Sequence, residues 1–202
     1  MFSEQTKIVQ TALKLLAILA VSLLASVAVY WSLQPRGGLL FSNADFEAGS
    51  LKNWRPEGSA FESQPTLGDN PVKRGRAKPT AIQGRYWIGT YEKHPSAKAA
   101  EGSFQGDEAT GRLTSIPFVI RKNKISFLAG AGNGSPATTI SLVVEGRTVL
   151  THSPNAFISS EETLARVTWD VSAWRGQKAR LVLSDQAFSG WGHLNADDFR
   201  YA

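Results

Sequence analysis

Residues 143–149 read VVEGRTV, that is Val143-Val144-Glu145-Gly146-Arg147-Thr148-Val149. Two β-branched runs flank Glu145-Gly146, a dipeptide that reverses the chain in a tight hairpin turn. Working outward, RVTWD at 166–170 and RLVLS at 180–184 alternate polar with apolar side chains. That period of two belongs to strands with one solvated face. The same reading predicts strands over 39–46, 58–62, 85–91, 111–120, 124–130, 138–145, 147–152, 165–171, 178–185 and 193–201. No stretch after residue 40 holds a helical period over three turns. Closely spaced strands punctuated by turn residues predict an all-β fold, a jelly-roll β-sandwich. Residues 64–83, rich in Pro, Gly and basic side chains, read as one long loop.

Composition bounds the chemistry. A chain of 202 residues with 42% apolar content can bury enough surface to fold. It holds no cysteine, which excludes disulfide scaffolds, thiolate metal sites and cysteine nucleophiles. The net charge of +5, from 22 basic and 17 acidic residues, is mild. No basic helix or basic stripe interleaved with aromatics accompanies it, so nucleic acid is not an expected partner.

Leu15–Leu33, LLAILAVSLLASVAVYWSL, holds nineteen residues without a charge. As a helix it spans about 28 Å, close to the hydrocarbon thickness of a bilayer. Lys7 and Lys14 precede it, Tyr30 and Trp31 sit where an interfacial belt would, and Pro35-Arg36-Gly37-Gly38 ends it. The pattern predicts a cytoplasmic N-terminus at 1–14, a transmembrane helix at 15–33, a short linker at 34–40 and an exported β-domain at 41–202. The location is then the bacterial inner membrane, with the domain in the periplasm. A cleavable signal peptide is the alternative, with Ser26-Val27-Ala28 as its cleavage site.

A run of short motifs supports a resemblance. It comprises Asp45-Phe46-Glu47-Ala48-Gly49 with Trp54, Tyr86-Trp87-Ile88-Gly89-Thr90-Tyr91-Glu92, and Gly106–Ser115 (GDEATGRLTS). Phe127-Leu128-Ala129-Gly130, Gly190–Asn195 (GWGHLN) and Asp197-Asp198-Phe199 complete it. In this order the exported part resembles the levan-binding carbohydrate-binding modules appended to family 32 glycoside hydrolases. The resemblance implies a β-sandwich without the catalytic domain of those enzymes. It also implies a structural calcium held by Asp45 or Glu47 with Asp198. Loop amides or nearby arginines are the alternative partners for these carboxylates. For sugar, the resemblance points to Asp107 and Arg112.

No catalytic constellation is visible. Asp197 and Asp198 are adjacent in a strand, so they are expected on opposite faces and not as an acid and nucleophile across a cleft. His94, His152 and His193 are scattered, and no serine elbow or HExxH occurs. Gly130-Ala131-Gly132-Asn133-Gly134 lacks the Lys-Ser/Thr of a phosphate loop and reads as a turn. Asn133-Gly134-Ser135 is a formal glycosylation sequon. Aromatic rings able to stack on sugar are Trp87, Tyr91, Trp174 and Trp191, with Trp191 between glycines the most exposed candidate and His193 beside it. Lys73, Arg74, Arg76 and Lys78 form a basic cluster that reads either as a solvated loop or as a contact with acidic lipid or a partner protein.

Two functions fit these features, neither of them enzymatic. One is a structural subunit of a bacterial membrane complex, photosynthetic reaction centre–antenna or respiratory. The short link between the apolar segment and the first strand favours it, because a domain so tethered lies near the membrane. The other is a membrane-tethered lectin for fructan or another polysaccharide.

Overall fold

The computed structural model describes residue 14 and residues 37–132, 136–154, 163–188 and 190–202. The chain divides into two units, 1–36 and 37–202. Of the first, only Lys14 is described, and it is helical. The predicted membrane helix, the interfacial Tyr30 and Trp31 and the alternative cleavage site lie outside the described residues, as does the sequon at 133–135. Among the described residues, no helix is long and apolar enough to cross a membrane.

The second unit is a sandwich of two antiparallel sheets. The first sheet runs β1 (Trp54–Gly58), β4 (Gly111–Ser115), β10 (Lys178–Asp185), β7 (Thr138–Val144) and β8 (Arg147–His152), and β5 (Phe118–Val119) adds to β10. The second runs β2 (Thr66–Leu67), β3 (Tyr86–Gly89), β11 (Leu194–Tyr201), β6 (Lys124–Ala131) and β9 (Ala165–Asp170). The hairpin expected at Glu145-Gly146 joins β7 to β8, and both turn residues have positive φ, 49° and 79°. That pair of angles is what a two-residue hairpin loop with the right twist requires. Strand β7 buries Thr138, Ile140, Leu142 and Val144 and leaves the residues between them partly exposed, as the period of two demands.

An aromatic stack fills the space between the sheets. Phe199 of β11 touches Phe46, Trp54 and Phe127 at centroid distances of 6.4, 5.8 and 5.2 Å. Phe127 meets Trp169 of β9 edge-on at 4.7 Å. Strands β6 and β11 are buried on both faces. A second apolar cluster of Trp87, Leu128 and Leu164, with Ile82 against it, accounts for the covering of the outer face.

Several expected strands differ. Residues 39–46 make one bridge, Leu39 to Arg200, and then a series of turns. Asn43 and Phe46 there have φ of 64° and 60°, a conformation that a regularly paired strand does not accept. Phe46 is delivered into the core by that turn. The strand placed at 58–62 is instead β1 at 54–58, followed by a 3-10 turn at Ser59–Phe61. Pro56 is tolerated because β1 lies at the sheet edge. The strand at 111–120 breaks at Ile116-Pro117 into β4 and β5, which both pair with β10. The loop at 64–83 carries β2 and one helical turn, α1 (Asn70–Lys73).

Replacing Phe199 by Ala removes a ring that touches three others, and it is expected to cost about 3–5 kcal/mol. Urea unfolding of parent and variant measures it. A loss below about 1 kcal/mol would show that the stack is not the centre of the core.

Candidate functional site

The ends of β3, β10 and β11 meet in one loop cluster. Thr90, just after β3, donates its hydroxyl to Asp185 Oδ2 at 2.5 Å, and Thr90 Oγ1 accepts the Leu194 N–H at 2.8 Å. Asp185 Oδ1 accepts the Ala187 N–H at 3.2 Å. His193 lies beside this group, with its Nδ1 2.8 Å from Asp107 Oδ1. The Tyr91 ring lies 5.3 Å from that imidazole. Burial pushes the Asp185 carboxyl up to about 6, against the opposing effect of its hydrogen bonds and of His193.

Aromatic rings surround these polar groups. Tyr91 and Phe104 stack nearly parallel at 5.0 Å, and the Arg74 guanidinium lies 5.0 Å from the first ring and 5.6 Å from the second. Arg74 also clasps Glu92 with two bonds of 2.8 Å, and Asn70 Nδ2 donates to the same carboxylate at 2.5 Å. Asn70 further ties Ser103 O and the Gly102 N–H, so α1 and the 92–105 segment form one block. Phe104 is 52% exposed, Trp191 46% and Phe188 72%. Gly132 lets the end of β6 approach this turn, since a Cβ there would lie 1.9 Å from Trp191 O. The arrangement can present flat apolar faces beside buried hydrogen-bonding groups.

The structure brings Asp107, Trp191 and His193 of the expected sugar site into this cluster. Arg112 lies on the neighbouring strand, paired with Ser184 beside Asp185, and lines a shallow groove of about 330 Å³ with Glu57, Gly58, Thr110, Gly111 and Gln186. Trp87 is no platform for sugar: it is fully buried, and its indole N–H is bonded to Gly68 O. Trp174 packs half-buried against the main core. In the basic cluster, Arg74 is turned inward onto Glu92, so it is not a cation offered to lipid. Lys73 faces Glu101 at 3.2 Å on the surface. Phe104, Phe188, Thr90 and Asp185 were not anticipated. A signal existed only for Asp185, whose position continues the buried phase of Ala179, Leu181 and Leu183 along β10. A groove of about 670 Å³ beside Asn53–Arg55, Thr114–Pro117 and Arg180 holds none of these groups.

The carboxylates expected to hold calcium are placed as follows. Asp198 is bonded by Arg166 at 2.7 Å and by Arg200 Nε. Asp45 Oδ2 lies 3.7 Å from Arg200 Nη2. Glu47 accepts the Arg85 and Tyr86 N–H groups at 2.7 and 2.8 Å, close to Gly84, where a side chain would collide with it. Among the described residues, no three acidic or histidine side chains gather as metal ligands. Asp197 is the exception to this satisfaction. Its Oδ2 accepts the Gln83 N–H at 2.8 Å, but its buried Oδ1 has no hydrogen-bond partner. Burial first, then Asp198 and Glu47, pushes its carboxyl up to about 8. The adjacent aspartates do not simply alternate, because a bulge in β11 falls between Asp197 and Arg200, with Asp198 at φ 55°.

No protein-family model matches the chain. It is 32% identical over 178 residues to an Aspergillus rugulosus protein provisionally named glycosyl hydrolase ecdE. That match covers 87% of this chain and 22% of the other, so the chain spans about a fifth of the length of the curated relative it matches. Among solved structures it is similar to TmCBM61 in complex with β-1,4-galactotriose, with a TM-score of 0.48, 15% identity and coverage of 80% of this chain and 96% of that one. It is also similar to the K2 cleaved adhesin domain of Lys-gingipain, with a TM-score of 0.45, 12% identity and coverage of 78% and 96%.

The raised Asp185 pKa makes a signed prediction. A carboxyl at about 6 in the fold, against its ordinary 3.8, holds its proton more tightly when folded. Its contribution to stability is therefore full below pH 3.8 and is lost as pH rises through 6. Asp185→Asn should flatten this fall, and thermal unfolding of parent and variant over that range isolates it. His152, whose pKa burial lowers, acts in the opposite direction in both proteins and cancels in the difference. Parallel curves for parent and variant would refute the assignment.

Proposed function

We propose that residues 37–202 form a non-catalytic carbohydrate-binding domain whose ligand seats on Trp191, Phe104 and Phe188 above the Asp107–His193 pair. The observation that carries this reading is the coincidence, in one loop cluster, of exposed aromatic rings with a buried polar network. Sugar rings present C–H faces that stack on aromatics and hydroxyls that need directed partners. The provisional name of the Aspergillus relative, glycosyl hydrolase, supports this reading over that of a structural subunit in a membrane complex. Binding without catalysis fits the carboxylates of the cluster: Asp107 holds His193, and Asp185 holds Thr90 and the Ala187 N–H. The ligand class we propose first is a fructan of the levan type, from the motif resemblance. We further propose that residues 15–33 tether the domain to the bacterial inner membrane, with the N-terminus inside and the domain outside.

A structural calcium is a second proposal, and it rests on the unpartnered Asp197 Oδ1. A buried anionic oxygen beside another carboxylate is costly unless a cation or proton compensates it. Asp197 and Glu47, with backbone carbonyls, would hold the ion, and Asp198 would stay with its two arginines. The ion would supply charge neutralisation and join the opening turns to the closing strand.

Two measurements test these readings. In calorimetric titrations of levan, Trp191→Ala should weaken binding about tenfold, or 1.4 kcal/mol, for one lost stacking contact. Absence of binding to levan and to a panel of neutral polysaccharides would defeat the sugar reading. Calcium should raise the melting temperature of the parent, a chelator should reverse the rise, and Asp197→Asn should abolish it. An unchanged melting temperature together with a metal-free native mass would remove the ion.

A further inference from the structure

We infer that the end of the sandwich opposite the aromatic cluster is a docking surface for anionic lipid headgroups. Two segments build it. Residues 116–124 (IPFVIRKNK) and 174–180 (WRGQKAR) are knitted together where Lys178 of β10 pairs with Val119 of β5. The Gly176 N–H donates to Ile120 O at 2.8 Å, and the Ile120 N–H to Gln177 O at 3.0 Å. These sixteen positions carry Arg121, Lys122, Lys124, Arg175, Lys178 and Arg180, with no Asp or Glu. All six cations are exposed. Two acids border them: Asp170 faces Lys124 across the β6–β9 ladder, and exposed Glu145 follows Val144, the register partner of Ala179, and so lies on the Lys178 side of that pair. Among the described residues, Arg121, Lys122 and Lys178 form no ion pair.

Apolar side chains lie among these charges. Ile116 and Val119 are each 38% exposed, and a groove of about 520 Å³ runs between Leu39–Ser42 and Pro117–Val119, with Arg121 and Lys178 on its wall. Cations around a shallow apolar surface suit a bilayer interface, where apolar groups enter the headgroup layer and each basic residue is drawn to anionic lipid. The chain enters the domain at this same end. Gly38 O accepts the Tyr201 N–H at 3.0 Å, and Leu39 bridges Arg200. Four peptide steps, at most about 15 Å, separate Gly37 from Leu33, the last residue of the uncharged stretch. This length argument rests on the proposed tether, whereas the charge argument stands without it. Strand β10 runs from Lys178 at this surface to Asp185 at the aromatic cluster, about 23 Å away. A domain seated this way holds its sugar site away from the membrane.

The natural chain has no cysteine, so one probe can be placed without background. A full-length Val119→Cys chain carrying an environment-sensitive dye is reconstituted into phosphatidylcholine vesicles with a headgroup-level quencher, with or without phosphatidylglycerol. Quenching is expected with phosphatidylglycerol, falling to the neutral-lipid level at high salt. Adding Arg121→Ser, Lys122→Ser and Lys178→Ser should abolish it. Equal quenching in both lipids, no loss in the triple variant, or quenching of a dye at Lys73→Cys in its place overturns the inference. Flotation that survives high salt reports the tether and is read separately.

Discussion

Strand β11 lies at the centre of the second sheet, and residues 197–200 cannot alternate regularly without driving a carboxylate among Phe46, Trp54 and Phe127. Leu194 and Ala196 occupy the core phase, so strict alternation would send Asp198 after them. The bulge sets Asp198 and Phe199 against Phe127 alone in the register, which shifts the phase by one residue. Phe199 and Tyr201 then enter the core, and Asp198 meets Arg166 and Arg200. Desolvating an unpaired carboxylate would cost far more than the ladder bonds the bulge disrupts. The whole aromatic stack depends on this one change of phase.

The outer face of the same sheet needs a cover, because β6 and β11 are buried on both sides. Residues 64–83 contribute to it. Ile82 packs on the second apolar cluster, Gln64 bonds Gly89 and the Gln83 N–H bonds Asp197, while within the segment Asp69 accepts both the N–H and hydroxyl of Thr80. Asn70 and Arg74 converge on buried Glu92, which removes an isolated charge and anchors the loop at once. Breaking such a buried pair by deleting one partner costs about 3–5 kcal/mol. The Arg74 guanidinium also packs against Tyr91 and Phe104, so one of the rings proposed to receive sugar, Phe104, is held by the same contacts that close the loop.

Two surfaces of opposite character therefore lie at the two ends of β10. One is aromatic with neutral and acidic hydrogen-bonding groups, suited to a ligand bound by stacking and shape. The other is cationic with small apolar patches, suited to an interface where charge density decides affinity. The sandwich separates them, and residues 37–39 join it at the cationic end, so the proposed lipid contact and the proposed sugar site draw on different residues.

Short-range signals explain what was legible in the sequence. The Glu145-Gly146 hairpin, the alternation of β9 and β10, and the exposure of Trp191 between glycines each follow from a few neighbouring residues and their steric limits. The all-β character follows from their sum. What the sequence left open depends on residues far apart along the chain. Asp107 meets His193 across 86 positions and Thr90 meets Asp185 across 95, and no local period records either encounter. The turns at 41–46, the break at Pro117 and the bulge at Asp198 are set by where Phe46, Phe118 and Phe199 must pack. Local alternation and turn residues by themselves determined the all-β class. Only the tertiary structure decided which carboxylates stay out of the core, because that choice turns on the desolvation of charge by groups from distant strands.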